Sequence, residues 1–188
     1  MLEKKIALLT SVTFNNIGNG FIDLGAEAAL MKALPLNAEL FKVSSNANFA
    51  ATMGQMFMLK ENPIINWLWV HTMQRAAKKL HDRSYKTVKT QNIFSMASMV
   101  KCDYFIIPGC VLTVPFFTIY GDLIKRKAEQ GSKIIFLGAS GNFYTEYEVK
   151  FVSEYLRKLR PYAIMTHDIL AYKYYANFTK NSYNGIDN

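Results

Sequence analysis

His167 and Asp168 stand side by side directly after the apolar run Ala163-Ile164-Met165. An imidazole changes charge near neutral pH and a carboxylate can orient it, so the pair is a candidate acid–base unit. Asp is also a preferred helix N-cap, and a helix is expected from Ile169, so capping stays open as the alternative role of Asp168. Cys110 follows Pro108-Gly109 at the end of another apolar run. It is a candidate nucleophile or, lacking an identified base, a small packed thiol. Ser140 and Asn142 lie in Gly138-Ala139-Ser140-Gly141-Asn142, which departs from the G-x-S-x-G spacing of a hydrolase elbow.

The fourth polar segment is the earliest. Lys5-Ile6-Ala7-Leu8-Leu9-Thr10 runs into Asn15-Asn16-Ile17-Gly18-Asn19-Gly20 and then into a helix-like stretch carrying Asp23. A loop of this kind between strand and helix offers backbone N–H groups and a positive dipole end to a ligand. Asn16, Gly18, Asn19, Gly20 and Asp23 are therefore candidate substrate contacts. After Gly18 and Gly20 the third glycine of G-x-G-x-x-G is replaced by Asp23, and no Gly-Lys-Ser or Gly-Lys-Thr follows, so neither a dinucleotide fingerprint nor a P-loop is present.

These segments need a scaffold that brings them together. The apolar runs at Lys5 to Thr10, Glu39 to Val43, Tyr104 to Ile107, Lys133 to Leu137 and Ala163 to Thr166 are continuous, as suits strands buried on both faces. Helical stripes separate them: Ile22, Ala26, Ala29 and Leu30 before Pro35; Leu123, Ile124 and Ala128 before Gly131; Val149, Val152, Tyr155, Leu156 and Leu159 before Pro161. The alternation predicts an α/β, Rossmann-like parallel sheet with helices on both faces. All strand C-termini then point one way, and Gly18, Asn19, Gly20, Gly109, Cys110, Ser140, Asn142, His167 and Asp168 are expected at one edge.

Residues 1–178 form the expected domain, with 44–100 as a Met- and Trp-rich helical insertion and 179–188 as a polar tail. The insertion holds Trp67 and Trp69 in a helix predicted from about Pro63 to Leu80. With 188 residues and a formal charge of +8, the chain is basic, but its Lys and Arg residues are dispersed over helical faces, which predicts no nucleic-acid site. Cys102 and Cys110 lack a partner C-x-x-C, and His71 and His81 are ten apart, so no metal is expected. No apolar run reaches membrane-span length, which with the two thiols predicts a cytoplasmic protein, with peripheral membrane attachment as the second option.

In their order, Asn16-Ile17-Gly18-Asn19, Asp103 to Gly109, Lys133 to Ser140, and Thr166-His167-Asp168 before Tyr172 make the chain resemble the polysaccharide pyruvyl transferases. The resemblance implies one domain of a GT-B-type fold, phosphoenolpyruvate as donor substrate, no cofactor, and a sugar or glycan acceptor. Asn19 stands where the family commonly has an acid, and His167 where it has Arg. The basic residues for the donor lie mainly in the family's second domain, so this chain is expected to be the acceptor-side half, inactive alone, needing a C-terminal domain or a homo-oligomer partner. A stand-alone phosphate- or nucleotide-binding module and a non-catalytic interaction subunit are the two alternatives.

Overall fold

Runs of apolar residues with no polar alternation cannot sit with one face in water, and the chain places them in the middle of a sheet. A computed structural model describes residues 4–10, 17–35, 37–44 and 100–185, all within one compact unit. The insertion read between 44 and 100, with its predicted helix, falls on 45–99, outside the described residues, as do His71, His81 and Asn16.

The described strands are β1 (Lys4–Thr10), β2 (Ala38–Ser44), β3 (Tyr104–Pro108), β4 (Lys133–Ala139), β5 (Ala163–Thr166) and β6 (Ser182–Asn184). They form a six-stranded sheet in the order β2-β1-β3-β4-β5-β6, and every pairing is parallel. β1, β3 and β4 are interior. The short β6 lies inside the stretch read as a polar tail. Ser182-Tyr183-Asn184 pairs with Ile164 to Thr166, where backbone pairing rather than apolar burial sets the strand.

The helices are α1 (Ile17–Ala33), α2 (Val114–Glu129), α3 (Glu146–Leu159) and α4 (Ile169–Tyr175). Side chains alternate along β1: Ile6 and Leu8 pack with Ala26 of α1, while Ala7 and Leu9 join Phe117, Leu123, Ile124, Val152, Leu156, Ala171 and Tyr175 from the other three helices. α1 covers one face and α2, α3 and α4 the other. That arrangement is an α/β Rossmann-like fold. Each fully buried side chain of the Phe105, Phe136 or Ile164 kind contributes about 1.5–3 kcal/mol relative to exposure.

Local signals set the helix ends. Thr113 caps α2 by accepting the Phe116 N–H, with Pro115 in the first turn, where a missing N–H costs nothing. The end of α2 is closed by Gly131 at φ +90, its N–H donating to Ala128 and that of Ser132 to Lys127. Lys127 departs from the solvated helix face that its charge predicts. It is 1% exposed, and its ammonium donates to the backbone carbonyl of Val100 and to the side-chain Oε1 of Gln130, tying α2 to the chain entering β3.

Candidate functional site

The strand order reverses between β1 and β3: the chain moves outward from β1 to β2, then in the other direction from β3 through β4 and β5 to β6. Connections leave the two central strands on opposite faces, and among the described residues a crevice opens at their C-terminal ends. Its cavity of about 140 Å³ is lined by Leu9 of β1, Asn19 and Ile22 of α1, Ile107 to Val111 at the end of β3, and Phe116 and Tyr120 of α2. Gly109 has a positive φ of +88, and a Cβ there would come within 3.3 Å of Ile22 Cγ2, so glycine permits both the turn and the approach of α1.

Asn19, Gly109 and Cys110 are thus brought to one cavity. Gly18, Gly20, Ser140, Asn142, His167 and Asp168 are not in its lining. Gly18, Asn19 and Gly20, expected in a loop, form the first turn of α1, while Asp23 is buried in that helix. The glycines with left-handed backbone among the described residues are Gly109, Gly131 and Gly138.

Beside the crevice, the loops after β3, β4 and β5 are laced together. Leu112 N–H donates to the Ser140 carbonyl at 2.9 Å, Ser140 N–H to Gly109 at 3.2 Å, and Cys110 Sγ to the Gly141 carbonyl at 3.1 Å. Glu148, 6% exposed, turns back from α3 so that Oε1 accepts the N–H groups of Asn142, Phe143 and Tyr144 at 3.2–3.3 Å. Thr145 Oγ1 meanwhile accepts the Glu148 N–H and so caps α3. Tyr144, at φ +51, accepts the Gly141 N–H at 2.7 Å and donates to Asp168 Oδ2. Burial and the Asp168 carboxylate push the Tyr144 phenol up, so it stays a neutral donor.

Asp168 Oδ1 accepts the N–H groups of Leu170 and Ala171 at 2.7 and 3.0 Å. Both carboxylate oxygens are engaged, and Asp168 is the N-cap of α4. The ring of His167 points elsewhere: Nδ1 lies 2.9 Å from the Gly138 carbonyl. A carbonyl only accepts, so Nδ1 is the donor in this contact. His167 and Asp168 therefore take separate positioning partners rather than forming an orienting pair.

Cys110 is exposed as a residue, yet desolvation of its thiol pushes it above the ordinary range, with Glu148 and Asp168 acting in the same direction and the Ser140 hydroxyl against it. A thiol held protonated is a weak nucleophile. Among the described residues no group of three or more His, Cys, Asp or Glu side chains is arranged to hold a metal, and no helix is long and apolar enough to cross a membrane.

Sequence reasoning missed Glu148 and Tyr144, which organise the β4 loop, and Ile22, Phe116 and Tyr120, which wall the crevice. Thr145-x-x-Glu148 carried a legible capping signal. The wall residues carried none, because helix-borne apolar residues look alike whether they face a core or a cavity. No family model, curated protein or solved structure matches the chain significantly.

Proposed function

We propose that this chain is the acceptor-side half of a polysaccharide pyruvyl transferase-like enzyme, with a ligand held at the C-terminal edge of the sheet. The observation that carries the reading is the crevice where the strand order reverses, flanked by interlaced loops from three strand ends. In this reading His167, its ring oriented by the Gly138 carbonyl, acts as the general base toward the attacking sugar hydroxyl. Asp168 and Tyr144 hold the loop that presents His167; neither acts on the sugar.

A donor carrying a phosphate and a carboxylate needs converging cationic groups. Among the candidate site residues described, His167 is the basic one, so the donor's charge is met by groups from another domain or a partner. A phosphate-binding module is the weaker reading, because the three consecutive N–H groups that would cradle a phosphate after β4 already hold the Glu148 carboxylate.

The test is a pyruvylation assay with phosphoenolpyruvate and a panel of glycosides, using the 188-residue chain alone and with a separately expressed second half. Turnover is expected only in the mixture, and replacing His167 with Gln lowers it by about 10²-fold or more, as for loss of a general base. Turnover by the chain alone overturns the half-enzyme reading.

A further inference from the structure

We propose that the N-terminal edge of the sheet is a docking surface for an anionic lipid bilayer, to which the domain attaches peripherally by charge. That edge lies opposite the crevice, and its role does not depend on the transfer reaction.

Along the chain the Lys and Arg residues are scattered, but a parallel sheet sends every strand start and every helix end to one side. Lys4 and Lys5 open β1, Lys101 leads into β3, Lys133 opens β4 and Lys180 precedes β6. α1 closes with Lys32, α2 with Arg126, and α3 with Arg157 and Lys158 followed by Arg160. All of these residues are exposed. The opposite edge differs: the described loops leaving β3, β4 and β5, residues 109–113, 140–145 and 167–168, contain no Lys or Arg.

The carboxylates at the basic edge do not cancel its charge. Asp103, Glu39 and Glu129 pair with Lys4, Lys5 and Lys125 at 3.4, 3.5 and 3.7 Å. Lys32, Lys101, Arg126, Lys158, Arg160 and Lys180 have no carboxylate partner among the described residues. Basic last turns have a local explanation, because cations offset the negative end of a helix dipole. That explanation does not reach Lys101 and Lys180, which precede strands and close no helix. Clusters of about four to eight basic residues hold a protein at an anionic leaflet, each strengthening attachment about fivefold.

Two features select a bilayer over a nucleic acid. Nucleic-acid phosphates are held at hydrogen-bond distance, in part by backbone N–H groups at helix N-termini, whereas this edge presents helix C-termini, whose carbonyls oppose a phosphate at contact. Unpaired bases stack on open aromatic faces. Here Lys133 Nζ lies 4.6 Å from the Tyr162 ring and 5.3 Å from the Tyr104 ring, and Arg157 lies 5.8 Å from Phe178, so these rings face cations of the same chain. Attraction to a leaflet needs neither device, since it acts through solvent over about 8–10 Å. Lys32 on one helical layer, Lys101 at the sheet and Arg126 and Lys158 on the other layer spread the charge over a front rather than along one line. Docking by this front turns the crevice away from the bilayer.

Cosedimentation of the full chain with sucrose-loaded vesicles tests the proposal, using phosphatidylcholine alone or mixed with an equal part of phosphatidylglycerol. Partition onto the mixed vesicles is expected to be at least about tenfold stronger than onto neutral ones, and salt at about 0.5 M is expected to release the chain. Lys101→Gln combined with Lys180→Gln is expected to weaken partition at least about tenfold. Lys42→Gln combined with Lys150→Gln removes the same charge from β2 and α3 away from this edge, and is expected to weaken it less than about threefold. All four positions are exposed, and native circular dichroism checks that each variant folds.

Partition that ignores lipid charge, or an edge pair that binds like the unaltered chain, overturns the proposal. Equal losses in the two pairs also overturn it, because net charge rather than this edge then governs attachment. Displacement from the mixed vesicles by a mixed-sequence oligonucleotide at equal phosphate concentration overturns it in favour of a nucleic acid. Edge-dependent partition with no pyruvyl transfer in any mixture upholds this proposal and defeats the transferase reading, so the two fail separately.

Discussion

The C-terminal edge of the sheet has two sides built on different principles. On the β1/β3 side the residues meet through apolar surface, and a cavity remains between them. On the β4/β5 side the polar groups are paired densely: one Glu148 oxygen accepts three N–H groups, Asp168 serves two N–H groups and a phenol, and Tyr144 links one loop to the other. The difference teaches where a ligand fits. Paired polar groups hold their geometry and leave no room, whereas strand reversal leaves space that only side chains can trim. His167 sits on the tied side, so the chemistry proposed for it gains a fixed ring, and binding falls to the open side.

That contrast can be broken most severely at Glu148. Replacing it with Ala leaves three loop N–H groups without their acceptor, and is expected to lower stability by about 2–3 kcal/mol in urea denaturation. A loss below about 0.5 kcal/mol would mean the β4 loop is held by something other than this carboxylate. Glu148→Gln keeps the acceptor oxygen and is expected to recover most of the loss.

A smaller effect is expected at Tyr144. Tyr144→Phe keeps the ring but removes the hydroxyl joining Gly141 to Asp168, at a cost of about 1–2 kcal/mol. Faster amide exchange at Leu170 and Ala171 should accompany it, since Asp168 then caps α4 with one anchor fewer. Unchanged exchange there would show that the two loops hold their positions independently.

The smallest change has the opposite sign. Tyr175 is fully buried, yet its hydroxyl has no hydrogen-bond partner among the described residues, and burial pushes its phenol up. Tyr175→Phe removes an unpaired polar atom from the core and is expected to raise stability by up to about 1 kcal/mol. A loss of stability would reveal a polar contact at this hydroxyl and extend the tied side further beneath α4.

Much of this was legible in the chain. Continuous apolar runs such as Phe105-Ile106-Ile107 and Ile134-Ile135-Phe136 fix strands buried on both faces, because no alternation leaves a face for water. Thr113 with Pro115, Thr145 with Glu148, and Gly131 mark helix ends through local hydrogen bonding, which needs no distant partner. The presence of polar segments at the strand ends followed from the same parallel order.

Tertiary structure alone decided the rest. Gly18 and Gly20 entered α1 instead of a loop, since helix propensity penalises glycine by only about 1 kcal/mol and packing against the sheet outweighs it. Lys127 went inside because two carbonyls, Val100 far off in sequence and Gln130 nearby, satisfied its ammonium. Tyr144, 24 residues away, engaged the second carboxylate oxygen of Asp168, and His167 turned to Gly138, 29 residues away. The crevice itself depends on which strands are neighbours. Strand order is a property of the whole sheet, and no spacing of residues along the chain encodes it.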